Sequence, residues 1–244
     1  MKCITAIRIG RLVDSILQGN GSIFIFGDGD CGQLGFGEDV TERLRPAPLD
    51  VDGKKFVQVV CGGMHTAALS KDGGVYTWGV NDEGALGRPT PDKIWNESPE
   101  ASEYPDRGDP YKPGLVAFPQ GLDTKVVQLS AGDSHTCALM DDGSVWAWGT
   151  FRDASGVMGF SPNCRIRLVP QLVYLPGGRS SNAPAMVSID SGADHVCALT
   201  EDGRIMSWGS GQQGQLGRVG ARVSDRVKIA TFLQPTVAPL KRNR

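Results

Sequence analysis

Short apolar strands alternate with polar turns along this chain, and one such arrangement recurs three times. Each copy has an apolar strand ending in small residues and a histidine, then an Asp-Gly turn, then an aromatic strand. An Asp-Gly pair between alternating apolar residues favours a two-stranded hairpin, because both residues readily accept positive φ. The first strands of the copies read VQVVCGGMHTAAL, VVQLSAGDSHTCAL and MVSIDSGADHVCAL, at 57–69, 126–139 and 186–199. The pattern predicts an array of antiparallel sheets.

A glycine-rich connection follows each aromatic strand. These connections cover 78–87, 148–159 and 208–217, and an earlier copy at 26–35 has no histidine strand before it. A period of roughly 50 to 70 residues suits one four-stranded blade per repeat, with insertions in the connecting loops. We therefore predict an all-β fold, namely an incomplete β-propeller of about three to four blades.

The sequence divides into an N-terminal segment and the propeller. The segment 1–20 has apolar residues interrupted by charges, which fits either a short amphipathic helix or a strand of a neighbouring blade. The predicted propeller occupies 21–244, with repeats at about 21–70, 71–140, 141–200 and an incomplete 201–244. The largest insertion, 88–112, is rich in proline and lacks apolar periodicity, so we expect an exposed loop. Its Trp95 and Tyr104 either pack back on the blade or bind a partner, and packing is favoured.

Composition argues against several classes of protein. The 244 residues carry a net charge of -2, which disfavours non-specific nucleic-acid binding by the whole body. No apolar stretch approaches the length of a membrane span, so no membrane partner is expected. The six cysteines form no CxxC pair, and Cys137 and Cys197 occupy a repeat position where the first copy has Ala67. Small buried thiols are expected there, which indicates a reducing compartment, either cytoplasm or nucleus.

The repeated polar residues are expected to be structural rather than catalytic. His65, His135 and His195 recur at one place in every complete copy, and a catalytic histidine would not need copying into each blade. A buried imidazole that links neighbouring strands explains them better. The glycine clusters resemble phosphate-binding loops, but they follow aromatic strands instead of joining a strand to a helix. We therefore expect no covalent catalysis, no metal and no cofactor.

Residues that depart from the repeat are the candidates for function. Asp133 stands two residues before His135, Asp194 stands immediately before His195, and Asp30 lies in the first glycine-rich connection. On one face of a propeller, such acids would form a negative rim for a partner's lysines and arginines. The alternative is that each is an ordinary solvated or turn-capping aspartate. Past the fourth connection comes a basic segment, either merely solvated or able to grip an acidic patch. Its arginines are Arg218, Arg222 and Arg226.

The third connection contains a loop, 150–157, that is longer than its counterparts. It carries Phe151, Arg152 and Asp153, and Gly156 allows a tight reversal. These residues can form a two-stranded finger, and the alternative is an ordinary solvent-exposed loop.

Several sequence motifs in the chain resemble those of one family. GGMHT, NDEGALGR, AGDSHT, WGTFRDASGVMG and GQQGQLGRV, spread over about 21–219, are similar to the regulator of chromosome condensation family. Its founding member is the nucleotide exchange factor of the small GTPase Ran. The resemblance implies a closed ring of seven blades, of which this chain holds three full repeats and the opening of a fourth. Either the chain is a fragment or partial gene product, or it closes a ring by self-association.

The resemblance also implies roles for the departing residues. Loop 150–157 would act as a wedge beside the nucleotide bound to Ran, through Phe151, Arg152 and Asp153. The acids that would bind basic residues of Ran are Asp30, Asp133 and Asp194. Arg218 would add a contact to Ran. Arg222 and Arg226 would meet the nucleosome or its histones, with DNA phosphates as a further contact, which places the protein on chromosomes in the nucleus. The rival reading is a binding scaffold, or an inactive fragment, without exchange activity.

Overall fold

Antiparallel strands make up almost all of the regular structure of the chain. The computed structural model describes residues 4–10, 12–98, 103, 106–153, 156–157, 160, 164–173, 185–217 and 228–232. The strands of the first two sheets are β1 (Ile4–Ile9), β2 (Val13–Gln18), β3 (Ile23–Asp28), β4 (Glu42–Leu49), β5 (Phe56–Cys61), β6 (His65–Ser70), β7 (Val75–Gly79) and β8 (Gly114–Leu115). The later strands are β9 (Val126–Ala131), β10 (His135–Met140), β11 (Val145–Gly149), β12 (Arg152–Asp153), β13 (Gly156–Val157), β14 (Arg167–Leu172), β15 (Met186–Ser191), β16 (His195–Thr200), β17 (Ile205–Gly209) and β18 (Lys228–Phe232).

Sixteen of these described strands form four sheets of four strands each, which we call blades 1 to 4, and β12 and β13 form a separate two-stranded sheet. Blade 1 is β1-β2-β3-β4, blade 2 is β5-β6-β7-β8, blade 3 is β9-β10-β11-β14 and blade 4 is β15-β16-β17-β18. All pairs inside a blade are antiparallel and follow chain order. The first strands of successive blades contact one another, so they lie on the inner side of the array. This arrangement confirms the prediction of an incomplete all-β propeller.

Blade 1 corrects the predicted division of the chain. Segment 1–20, which we set apart from the propeller, supplies β1 and β2, so the strand alternative is correct for these residues. Val13 pairs with Gly27 as His65 pairs with Gly79, and the N–H of Gly10 donates to the Val13 carbonyl as that of Gly62 donates to His65. Blade 1 therefore has the same second strand as the others. The sequence pattern did not reveal this strand, because Val13 stands where the other copies have histidine.

The core consists of three apolar clusters, each shared by two neighbouring blades. Trp78 of blade 2 packs among Val13, Ile25 and Leu34 of blade 1. Trp148 lies in the cluster between blades 2 and 3. Trp208 lies in the cluster between blades 3 and 4. An aromatic sheet face against each neighbour explains why the strand before every connection is rich in tryptophan.

The insertion 88–112 is less exposed than predicted. Trp95 is fully buried, in the one-turn helix α1 (Lys93–Asn96), so packing is the correct alternative for this ring. Arg88 is also buried, and its guanidinium donates to the carbonyls of Thr77, Asp109 and Lys112. This arginine closes the base of the insertion onto its own blade. Tyr104 lies outside the described residues.

Two further predictions concern sulfur and membranes. Cys31, Cys61, Cys137, Cys164 and Cys197 are free thiols, as expected. Within the part of the chain that the structure describes, no helix has the length and apolar character needed to cross a membrane.

Candidate functional site

The turns before the histidines and the glycine-rich connections lie at one end of the blades. In an antiparallel meander, the turn after the first strand and the link after the third strand lie at the same end of the strands. Backbone hydrogen bonds join the two segments in each blade. The N–H of Val80 donates to Met64, that of Thr150 to Ser134, and that of Ser210 to Asp194. We call this end the connection face.

His65 stabilises the connection face from inside. His65 Nε2 lies 2.9 Å from Thr136 Oγ1 in the next blade, and Thr136 Oγ1 donates to the Ala85 carbonyl at 2.9 Å. The hydroxyl proton is thus committed, so the imidazole Nε2–H donates to Thr136. A side chain at Gly62 would collide with the His65 ring, which explains the glycine three residues earlier. The prediction of structural, strand-linking histidines is confirmed for His65.

His135 has a different environment. Its ring is completely buried, and neither ring nitrogen has a hydrogen-bond partner. The blade 4 residue that corresponds to Thr136 is Val196, which has no hydroxyl group. Instead, the Phe151 ring packs against the imidazole, with centroids 4.6 Å apart. Burial lowers the pKa of His135 to about 3, so this imidazole is neutral at physiological pH.

Phe151 is an anchor and not a surface residue. Its side chain is 1% exposed and also packs against Phe160, with ring centroids 4.8 Å apart. The expectation that the Phe151 ring itself acts as part of the wedge is therefore corrected. An aromatic ring in a polar loop gains more from the apolar space between blades 3 and 4 than from exposure. It fixes the start of loop 150–157.

Loop 150–157 contains a two-stranded finger as expected. We call it the wedge loop after the role that the resemblance implies. Strands β12 and β13 pair Arg152 with Val157 and Asp153 with Gly156. Gly156 has a φ of +107°, a backbone conformation that residues with a side chain rarely adopt. The base of the finger is attached to both neighbouring blades, through Arg152 to blade 2 and through both Arg152 and Asp153 to blade 4.

Three contacts make this attachment. The Arg152 N–H donates to Asp194 Oδ1 at 2.7 Å. Its guanidinium Nη1 lies 3.2 Å from Glu83 Oε1 of blade 2. Asp153 Oδ2 accepts from Gln212 Nε2 of blade 4 at 3.0 Å. Sequence reasoning missed Glu83 and Gln212, because their partners lie in other blades and only the fold brings them together.

Beside the finger is an open cavity of about 350 Å³ between blades 3 and 4. Its walls include Asp153, Asp194 and Gln212, together with the partly buried His195. The cavity is open to solvent, which suits contact with a macromolecular surface better than enclosure of a small molecule.

Negative charge is concentrated around the finger. Half-burial raises the pKa of Asp194 above its ordinary value, and nearby Asp133 and Glu83 act in the same direction against the opposing Arg152. The pKa of Asp82 is raised by burial and then by Glu83. The structure therefore brings together Asp133 and Asp194, as the sequence analysis expected for one face. A carboxylate cluster with one arginine favours a basic partner.

The other predicted site residues are placed as follows. Asp30 is exposed and lies in the blade 1 connection, on the same face but without contact with the Asp133–Asp194 pair. Arg218, Arg222 and Arg226 lie outside the described residues. Among the residues that the structure describes, no three His, Cys, Asp or Glu side chains are arranged to hold a metal ion.

Four-stranded blades repeated along the chain, with their connections at one end, define a propeller-repeat protein. The chain belongs to the family described as RCC1-like domain, whose model matches residues 22–241. The resemblance seen in the repeat motifs is thereby confirmed.

Curated relatives support this assignment. The chain is 46% identical to the human regulator of chromosome condensation over 206 residues, covering 84% of this chain and 43% of that protein. It is 37% identical to the guanine nucleotide exchange factor SRM1 of Saccharomyces cerevisiae, covering 86% of this chain and 45% of that protein. The chain thus spans less than half the length of these relatives.

Solved structures agree on the fold. Human WBSCR16 superposes with a TM-score of 0.74 at 23% identity, over 96% of this chain and 53% of that chain. Prp20p from Saccharomyces cerevisiae, described together with its binding properties to Gsp1p and histones, gives a TM-score of 0.72 at 22% identity. That likeness covers 97% of this chain and 52% of that chain. At such identities the likeness extends to the fold alone.

Proposed function

We propose that this chain contributes to guanine nucleotide exchange on the small GTPase Ran through its connection face. The observation that carries the proposal is the finger β12–β13, flanked by Asp133 and Asp194 and held by two neighbouring blades. A relative named as a guanine nucleotide exchange factor is 37% identical to this chain over 227 aligned residues, which supports the same activity class.

The mechanism needs no covalent chemistry. An exchange factor binds the nucleotide-free GTPase more tightly than the loaded form, and by reciprocity it weakens nucleotide binding by the same factor. In our proposal, Asp30, Asp133 and Asp194 bind basic residues of Ran, while the finger presses on the segment that holds the nucleotide phosphates. Arg152 and Asp153 are the finger residues with polar groups at its base, and Phe151 supports them from the core. Arg218 adds a contact beyond the described residues.

Release of labelled GDP from Ran tests the proposal. The purified chain, in excess over Ran loaded with a fluorescent GDP analogue, is expected to accelerate release when unlabelled nucleotide is added. Asp133→Ala is expected to slow the accelerated release about tenfold, because it removes a charged contact at the interface. Asp123→Ala, an exposed aspartate at the opposite end of the blades, is the matched control and keeps full activity.

The second candidate is a binding scaffold without exchange activity. It is favoured by the finding that the chain spans only 43% of its human relative, so a surface for Ran need not include all groups that expel nucleotide. Tight binding to Ran with unchanged GDP release would establish the scaffold. If the chain neither binds Ran nor accelerates GDP release, both proposed functions are refuted.

A chromatin contact is a separate part of the proposal. Relatives are named as regulators of chromosome condensation, and Prp20p is described with histones. We assign Arg222 and Arg226 to a contact with histones or the nucleosome, with DNA phosphates adding salt dependence, and expect the protein on chromosomes in the nucleus. Reversal of both charges to glutamate should abolish retention on purified nucleosomes. Retention at the level of the unchanged chain would contradict this assignment.

A further inference from the structure

The wedge loop is joined to its neighbours by a contact that repeats from blade to blade. Glu83 stands five residues after Trp78, and it pairs with Arg152, four residues after Trp148. Asp153, five residues after Trp148, accepts from Gln212, four residues after Trp208. The same two repeat positions are thus linked across both boundaries of blade 3.

The link is absent at the first boundary for a chemical reason. The position that corresponds to Glu83 and Asp153 in blade 1 is Cys31, which has no carboxylate. The wedge loop is therefore bonded through a carboxylate to each neighbouring blade. Glu83 of blade 2 pairs with Arg152 of the loop, and Asp153 of the loop accepts from Gln212 of blade 4.

Glu83 is committed to this link by its burial. Its side chain is 13% exposed, whereas Arg152 is 48% exposed. Glu83 Oε2 is buried and has no hydrogen-bond partner, so the Arg152 guanidinium at Oε1 is the contact that compensates this carboxylate. Arg152 is correspondingly engaged within the molecule at both its guanidinium and its N–H.

We propose that Glu83 and Gln212 are positioning residues that hold the finger of the wedge loop in its working orientation. This inference rests on the proposed exchange function for its consequence, but not for its structural content. Glu83 sets the finger through Arg152 from blade 2, and Gln212 sets it through Asp153 from blade 4. Precise placement of a loop beside a reacting group affects rate far more than affinity.

Hydrogen–deuterium exchange of the whole chain tests the structural content without Ran. Glu83→Gln keeps the size of the side chain and removes its charge. In peptides covering 150–157, exchange of the backbone amides is expected to become about tenfold faster, because the variant loses one charge-assisted contact. Glu38→Gln is the matched control, since it makes the same change at an exposed glutamate between β3 and β4, away from this ion pair.

Gln212→Ala, compared with Gln213→Ala, repeats the test from blade 4. Gln212 is expected to matter because its amide donates to Asp153, whereas the contact at Gln213 uses only its backbone N–H. Unchanged exchange of 150–157 in both Glu83→Gln and Gln212→Ala would overturn the proposal.

A second readout separates positioning from general stability. With saturating chain, Glu83→Gln is expected to slow GDP release from Ran at least fivefold while changing the dissociation constant for nucleotide-free Ran less than about twofold. Glu83→Asp, which keeps the charge, should recover part of the rate. If the unaltered chain does not release GDP, the proposed function fails, and the amide exchange still decides whether these residues hold the finger. Equal losses of rate and affinity would overturn the positioning role.

Discussion

Phe151 changes how the wedge loop is understood. Its ring fills the space beside His135 and Phe160, whereas the next residue, Arg152, is exposed. The sequence placed it correctly in an unusual loop, but a single aromatic residue among polar neighbours gives no signal for which way it points. Its direction depends on apolar surfaces of two blades that are distant in sequence.

Phe151→Ala is expected to lower the free energy of unfolding by about 3–5 kcal/mol, the usual cost of removing a fully buried aromatic ring. Urea titration followed by tryptophan fluorescence measures this loss. Phe151→Leu should cost clearly less, because leucine refills most of the space. A loss below about 1 kcal/mol for the alanine variant would mean that the ring lies in solvent.

The buried histidines predict a specific loss of stability in acid. Burial lowers the pKa of His65 to about 4 and that of His135 to about 3. The unfolded chain binds protons below its ordinary histidine pKa of about 6.5, while the folded chain does not, so stability is complete above that pH and falls as the pH drops. Each histidine is expected to cost about 2 to 3 kcal/mol between pH 7.5 and 4.5.

His135→Val tests this expectation, because Val13 shows that the repeat accepts valine at this position. The variant is less stable at pH 7.5, since the ring packed on Phe151 is lost. Its unfolding free energy should nevertheless decline less steeply toward pH 4.5. Parallel decline in both proteins would contradict the assignment.

At the scale of elements, neighbouring blades are joined by paired amide contacts on their inner strands. Gln58 donates to the Leu129 carbonyl at 2.9 Å and accepts from the Leu129 N–H at 2.7 Å. Gln128 makes the same pair of bonds with Ile189. A glutamine side chain thus replaces the backbone pairing that two separate sheets cannot make.

Gln58→Ala is expected to destabilise the chain by about 1–3 kcal/mol, because the N–H and carbonyl of buried Leu129 lose their partner. Urea unfolding measures the loss, and amide exchange at Leu129 should rise with it. Gln171→Ala, on the exposed side of β14, serves as the control and should change stability by less than about 0.5 kcal/mol. Equal effects in the two variants would argue against this role.

The elements themselves were largely predictable. The hairpin ending in Val145–Gly149 follows from its Asp-Gly turn and aromatic alternation, and both signals are local. Blade 1 was harder, because β2 was recognisable only through the histidine that Val13 replaces. The burial of Arg88 was not predictable, since its carbonyl partners include Lys112, which is distant in sequence.

At the scale of the whole molecule, the site could be predicted only in part. Repetition identified Asp133 and Asp194 as departures, and the fold places the two near each other, with Asp194 bonded to the Arg152 N–H. Repetition gave no sign of Glu83, because its spelling NDEGALGR belongs to the ordinary connection of blade 2. A contact across a blade boundary becomes visible only when the distance between neighbouring connections is known.

The acidic surroundings of the finger predict how the chain meets a basic partner. Association with Ran should slow as salt rises, because long-range attraction is screened. Asp133→Asn is expected to lower the association rate about two- to fivefold and to flatten its salt dependence, with little change in dissociation. Stopped-flow measurements at several ionic strengths check this, with Asp123→Asn at the far end of the blades as the control. An unchanged association rate would place the encounter surface elsewhere.

The way one blade receives the next has a consequence for divergence. The Gln33 carbonyl accepts from Thr66 and Trp78, and the Ala85 carbonyl accepts from Thr136 and Trp148 in the same manner. In both cases the acceptor is a backbone oxygen, so these bonds do not require glutamine or alanine at that position. The side chains of these two connections can therefore change, and with them the surface offered to a partner, while the bonds that join blades 1, 2 and 3 remain.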